Sequence, residues 1–221
     1  MGYYDDCRPD QRFSTDMTVG YLGTDLCIIT DWDERRTISV ETSREEPGND
    51  DGFFTNVIAK YIDTLPADAV TIKVSPDGEL LSTSCNTDED DTRVPTYFSR
   101  SDYSQEMHTV RRPELTELER LAIQTDLVTY GPDQRMVVFK YYIAPHSFVA
   151  IWHEAHCLSR IPAHPHIVSF DSLVVDSAGG GEDKVVGFTT KFIPGGTIRD
   201  NVSRVFKLKY LRQLLEVCFL V

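Results

Sequence analysis

Residues 84–110 (SCNTDEDDTRVPTYFSRSDYSQEMHTV) are polar, acidic and without a hydrophobic period. Such a stretch buries too little apolar surface to offset the ordering of its own backbone, and it reads as a linker or disordered segment. A chain interrupted in this way has to build two cores, one on each side. The charge balance breaks at the same place. Residues 1–110 hold 23 Asp and Glu against 9 Lys and Arg, while residues 111–221 hold 12 against 13. The net charge of −13 therefore lies in the first half. An acidic surface of this size repels a phosphate backbone, which disfavours a nucleic-acid partner. Its plainest use is solubility, and its interactive use is to dock a protein partner.

With 41% hydrophobic residues, a packed core is within reach on each side. No apolar run is long enough to span a bilayer, so no membrane is expected. The start, MGYYDDCRPD, has no apolar segment of a secretory signal, and Asp6 stands where a myristoylation signal has Ser or Thr. The five cysteines are scattered, odd in number and form no CxxC. Reduced thiols in an intracellular protein, cytoplasmic or nuclear, are the expectation.

Before the acidic tract, residues 1–16 read as loose, and Thr24–Asp31 and Arg35–Glu41 as strands joined at Trp32-Asp33-Glu34. Phe53, Phe54, Val57, Ile58, Tyr61, Ile62 and Leu65 recur at helical spacing, so a helix is predicted over 52–65, with Asp51 as its cap and Pro66 just past its end. Two short strands flank Ser75-Pro76-Asp77-Gly78, a hairpin turn. Residues 1–83 are thus expected to form a small acidic α+β domain. After the tract, strands are predicted over 117–124, 127–130 and 135–142, with breaks at Thr125-Asp126 and Gly131-Pro132-Asp133. A helix over 145–160, strands over 167–176 and 184–192 and a final helix over 207–221 follow.

The third of those strands contains VVFKYY, Val137 to Tyr142. Side chains alternate along a strand, so Lys140 shares a face with Val138 and Tyr142. An unpaired lysine on an enclosed face is costly and calls for a carboxylate or a phosphate, unless it snorkels to the sheet edge. The next helix supplies a carboxylate. Phe148, Ile151, Trp152, Ala155 and Leu158 mark its apolar side, and Glu154 sits on the margin of that side. Two misplaced charges of opposite sign on adjacent elements explain each other.

These residues resemble the small lobe of a protein kinase of the Ser/Thr type, a five-stranded antiparallel sheet with one helix, in which a third-strand lysine pairs with a helix glutamate and contacts nucleotide phosphates. VVFK stands where that family has VAIK, and His164-Pro165-His166-Ile167-Val168 is similar to its HPNIV. Val185 to Ile198 (VVGFTTKFIPGGTI) resembles the fifth strand, the hinge and the turn into the large lobe. The wording FKYY, WHE, VVGFTT and SRVFKLK is closest to kinase-like proteins of filamentous fungi. The resemblance covers residues 114–221, with a small lobe over 111–198 and the start of a large lobe over 199–221. It implies ATP with Mg²⁺ as cofactor, Lys140 and Glu154 as the ion pair, Val138 over the adenine, Thr190 as gatekeeper, and Lys191 to Ile193 as the hinge.

Three features depart from the pattern. The turn expected at Gln124-Thr125-Asp126 has no glycine to let backbone N–H groups approach phosphates, and Asp126 would bring a negative charge there. Val138 replaces a smaller alanine. Lys207 to Val221 resembles the first large-lobe helix, and the sequence stops inside it, ahead of the place for HRD and DFG. The expectation is a kinase-like lobe that is incomplete and not catalytic as this chain, the alternative being a pseudokinase-like binding module. His153 and His156, at i and i+3 beside Cys157, have a workable zinc spacing, but HEAHC is not HExxH and Glu154 projects elsewhere, so surface histidines and no metal are expected. Gly179-Gly180-Gly181 lacks a following GK[ST] and reads as a hairpin, and no GxSxG supports a hydrolase.

Overall fold

A computed structural model of the chain describes residues 12–21, 24–43, 51–85, 98–99, 103, 106–143, 148–176, 183–195 and 208–218. It is an α+β chain with two mixed sheets and few helices. Two compact units emerge: residues 1–97 with 120–124 and 142–149, and residues 98–119, 125–141 and 150–221. Among the described residues no helix is long and apolar enough to cross a membrane.

The first unit holds five strands in the order β1 (Phe13–Tyr21), β2 (Thr24–Asp31), β3 (Arg36–Ser43), β4 (Thr71–Val74) and β5 (Leu80–Ser84). All neighbours are antiparallel except β3 and β4, whose parallel pairing needs a crossover. That crossover carries α1 (Asp51–Tyr61) and a 3-10 turn, Ile62–Thr64. Cys27 stands opposite Val40, Ile29 opposite Ile38, and Val40 opposite Ile72. These residues share one face, onto which α1 lays Phe54, Val57 and Ile58, followed by Ile62. The helical spacing seen in the sequence is thus the buried stripe, and α1 itself is shorter than predicted because the 3-10 turn takes over at Ile62. Gly78 closes the β4–β5 hairpin at φ +82°, where its N–H donates to Ser75 O at 2.9 Å. Strand β1 corrects the expectation that residues up to 16 are loose. It pairs with β2 from Phe13 onward, and the indole of buried Trp32 donates to Ser14 Oγ at 2.9 Å.

The second sheet has the order β7 (Thr109–Arg111), β11 (Phe170–Asp176), β12 (Lys184–Lys191), β10 (Arg135–Tyr141), β9 (Thr125–Tyr130) and β8 (Thr116–Ala122, of which residues 116–119 fall in the second unit). A seventh strand, β6 (Phe98–Ser99), pairs with the start of β12. Helix α2 (Phe148–Arg160) lies between β10 and β11 in the chain, and α3 is Leu208–Cys218. Pro162, just past Arg160, stops α2. The sheet is larger than the expected five antiparallel strands. β6, within the expected linker, is antiparallel to β12, and β7, which straddles the linker's end at 110, is parallel to β11. Tyr103, 5% exposed, lies in the same tract. These segments are ordered by what they pair with, since two or three residues are too few to carry a strand pattern of their own. The Gly179–Gly181 hairpin lies outside the described residues, as do the Phe148 and Ile151 side chains.

Candidate functional site

Register places the site. Across β10 and β12, Val138 stands opposite Thr190 and Lys140 opposite Phe188. Across β10 and β9, Val138 stands opposite Leu127 and Lys140 opposite Thr125. Directly opposed residues share a face, so Thr125, Leu127, Val138, Lys140, Phe188 and Thr190 form one surface. Helix α2 meets that surface at Lys140, whose Nζ donates to Glu154 Oε1 at 2.5 Å. The pair predicted from the sequence is therefore made. It is not enclosed, because the Lys140 side chain is 31% exposed and that of Glu154 39%.

Thr190 is buried and stands between Val138 and Phe170 on the two neighbouring strands. Lys191 and Ile193 are not on the surface with Lys140. Lys191 ends β12 opposite Val137, and its backbone N–H donates to Ser169 O at 3.0 Å. Ile193 lies two residues beyond the strand and is 61% exposed.

The turn before β9 is displaced from its predicted place. Thr125 and Asp126 belong to β9, and the reversal is made by Ile123 and Gln124, with Gln124 at φ +59°. Asp126 stands opposite Phe139, on the face away from Lys140, and is 3% exposed. The Tyr141 hydroxyl donates to its Oδ1 at 3.5 Å. The expected negative charge near a phosphate is therefore absent from the Lys140 face. In its place is a two-residue hairpin, too short to fold over a bound group. The misplaced turn hid Thr125, while Leu127 was expected on a strand but not as part of this surface.

The face away from Lys140 carries a polar knot that the sequence did not reveal. Asp171, the extra residue of a bulge in β11, accepts at Oδ2 from the hydroxyls of Tyr130 (2.6 Å), Ser172 (3.0 Å) and Thr189 (3.0 Å). Its Oδ1 lies 2.7 Å from Arg135, whose guanidinium also sits 4.9 Å over the Tyr130 ring. His108 Nδ1 is 2.8 Å from Ser172 Oγ, which pins the chain entering β7. Arg112 stacks 5.3 Å over the Phe139 ring and is ion-paired with Glu117.

His153, His156 and Cys157 do not converge, and among the described residues no group of three or more His, Cys, Asp and Glu is placed to hold a metal. His164 turns the chain into β11, its Nδ1 accepting from His166 N at 3.2 Å. His166 Nε2 reaches Glu216 on α3 at 3.2 Å. No protein-family model matches the chain, and no curated protein matches it.

Proposed function

We propose that the second unit is a protein kinase-type small lobe that keeps the lysine–glutamate pair, lacks the turn that covers phosphates, and does not transfer phosphoryl groups as these 221 residues. The observation that carries this reading is the Lys140–Glu154 bond between a strand and the helix that follows it. Two further features support it. Five antiparallel strands, β8 to β12, have α2 inserted after the third. Val138, Lys140 and Thr190 line one face. The sequence contains neither HRD nor DFG, the motifs that position the acceptor and hold Mg²⁺ in that family.

ATP is the ligand this reading implies. The residues are compatible with its organic part: Leu127 and Val138 are aliphatic neighbours and Thr190 a hydroxyl neighbour on the face of Lys140, whose partly exposed ammonium is the group for a phosphate. They do not fit Mg²⁺, since Glu154 is already bonded to Lys140 and no carboxylate cluster stands nearby among the described residues. A second reading, a kinase-like binding module that takes no nucleotide, is favoured by the Ile123–Gln124 hairpin. The acidic first unit is then the surface for a protein partner.

A thermal shift with ATP, with and without Mg²⁺, separates the two. A ligand at about 100 times its Kd adds about 2.7 kcal/mol to stability. The nucleotide reading expects a rise in Tm that is lost in Lys140→Ala. A folded wild-type chain with no rise rejects ATP binding and leaves the binding module.

A further inference from the structure

Beside the start of β11 lies an open cleft of about 530 Å³, walled by Glu106, His108, His156, Arg160, Phe170 and Asp171. It contains neither Lys140 nor Glu154, and its size falls in the range of small-ligand sites. Its polar groups are unequally committed. Asp171 has its three hydroxyl donors and Arg135, so its charge is neutralised within the protein. The single proton of Ser172 goes to Asp171, so Ser172 Oγ accepts from His108 Nδ1. That fixes the His108 tautomer and leaves its Nε2 for another partner. His156 stacks on Trp152 at 5.0 Å, and its Nδ1 is buried with no hydrogen-bond partner among the described residues. Arg160, in the last turn of α2, is exposed and has no ion-pair partner among the described residues. Glu106 is engaged in a contact of its own.

A guanidinium fork and two imidazoles around an aromatic wall suit a tetrahedral anion that carries an organic group. We propose that this cleft binds a phosphate monoester, with Arg160 taking the phosphate oxygens, His156 donating to one of them, His108 Nε2 accepting from the P–OH of the monoanion, and Phe170 carrying the organic group. Arg160 also offsets the dipole at the end of α2, a role that any cation fills. The test therefore has to separate fork from charge.

The full chain, labelled with ¹⁵N, is titrated with phenyl phosphate and, in parallel, with a phosphoserine peptide. Saturable shifts of the His108, Ser159, Arg160 and Phe170 amides are expected. Arg160→Gln should weaken binding at least about tenfold with an unchanged melting temperature. Arg160→Lys, which keeps the charge but not the fork, should recover only part of it. Tighter binding of the peptide supports the site with a phosphoprotein as source, and tighter binding of phenyl phosphate supports it with a small metabolite. No saturable shift at millimolar monoester, or equal binding by Arg160→Gln, overturns the proposal.

Discussion

Gly187 lies so close to β10 that a Cβ there would stand 2.2 Å from the Lys140 carbonyl oxygen and 2.8 Å from the Phe139 ring. Neither neighbour is the free end of a flexible chain. Gly187→Ala must therefore push β12 away from β10 just where Lys140 is held. Overpacking of this kind costs roughly 1–3 kcal/mol. Urea unfolding should show that loss, and amide signals around Lys140 should move. A change below about 0.5 kcal/mol would mean that the strands do not pair in this register.

The exposure of the Lys140–Glu154 pair sets its worth. A fully buried pair loses about 3–5 kcal/mol when one partner is removed, which is what the sequence leads one to expect. With about a third of each side chain in water, solvent screens the pair, and a double-mutant cycle of Lys140→Met and Glu154→Gln should give a coupling of about 1 kcal/mol or less. Raising the salt concentration should shrink it further. A coupling of several kcal/mol would show that the site is dry and the pair structural.

Asp171 is expected to matter more to the fold than Lys140. Its carboxylate is the common acceptor for groups on four other positions of the sheet, and charge-assisted bonds contribute about 1.5–3 kcal/mol each. Asp171→Asn should lose about that much in a denaturant titration, because an amide cannot accept from three hydroxyls and an arginine at once. Ser172→Ala should cost less, about 1 kcal/mol, and should free the His108 ring, which a change in its imidazole resonances would report.

In the first unit, Cys85 donates to Asp68 at 3.4 Å, and that hydrogen bond to a carboxylate raises the thiol above its ordinary range. The raised value makes the protonated thiol the favoured folded form. Its contribution to stability is present below the ordinary thiol range and lost as pH rises through the raised value. Alkylation by iodoacetamide at mildly alkaline pH should therefore be slow at Cys85 and faster in Asp68→Asn. Equal rates would remove the assigned cause.

Local pattern made much of this fold legible. The stripe Phe54, Val57, Ile58, the Ser75–Gly78 turn, and the opposite charges on β10 and α2 each follow from a short window of sequence. What escaped is non-local. Thr125 and Asp126 have turn composition, yet they are strand residues because β10 offers Phe139 and Lys140 as partners. The real turn falls on Ile123 and Gln124, with Gln124 in a backbone region that its residue type does not advertise. The Asp171 knot draws its donors from β9, β10, β11 and β12, so no spacing encodes it. Strands of two and three residues, as at 98–99 and 109–111, exist only once a neighbour is in place.

Strand β7 bears on where this chain can be cut. The charge break near residue 110 invites a boundary there, and a fragment begun at 112 would retain β8 to β12 and α2. It would also leave the edge of β11 at Leu173–Val175 without its cover, presenting unpaired backbone groups among buried aliphatic side chains. Such an edge recruits another strand, so the shortened protein would gather into oligomers through it, and any change in binding measured on that fragment would report assembly instead of ligand.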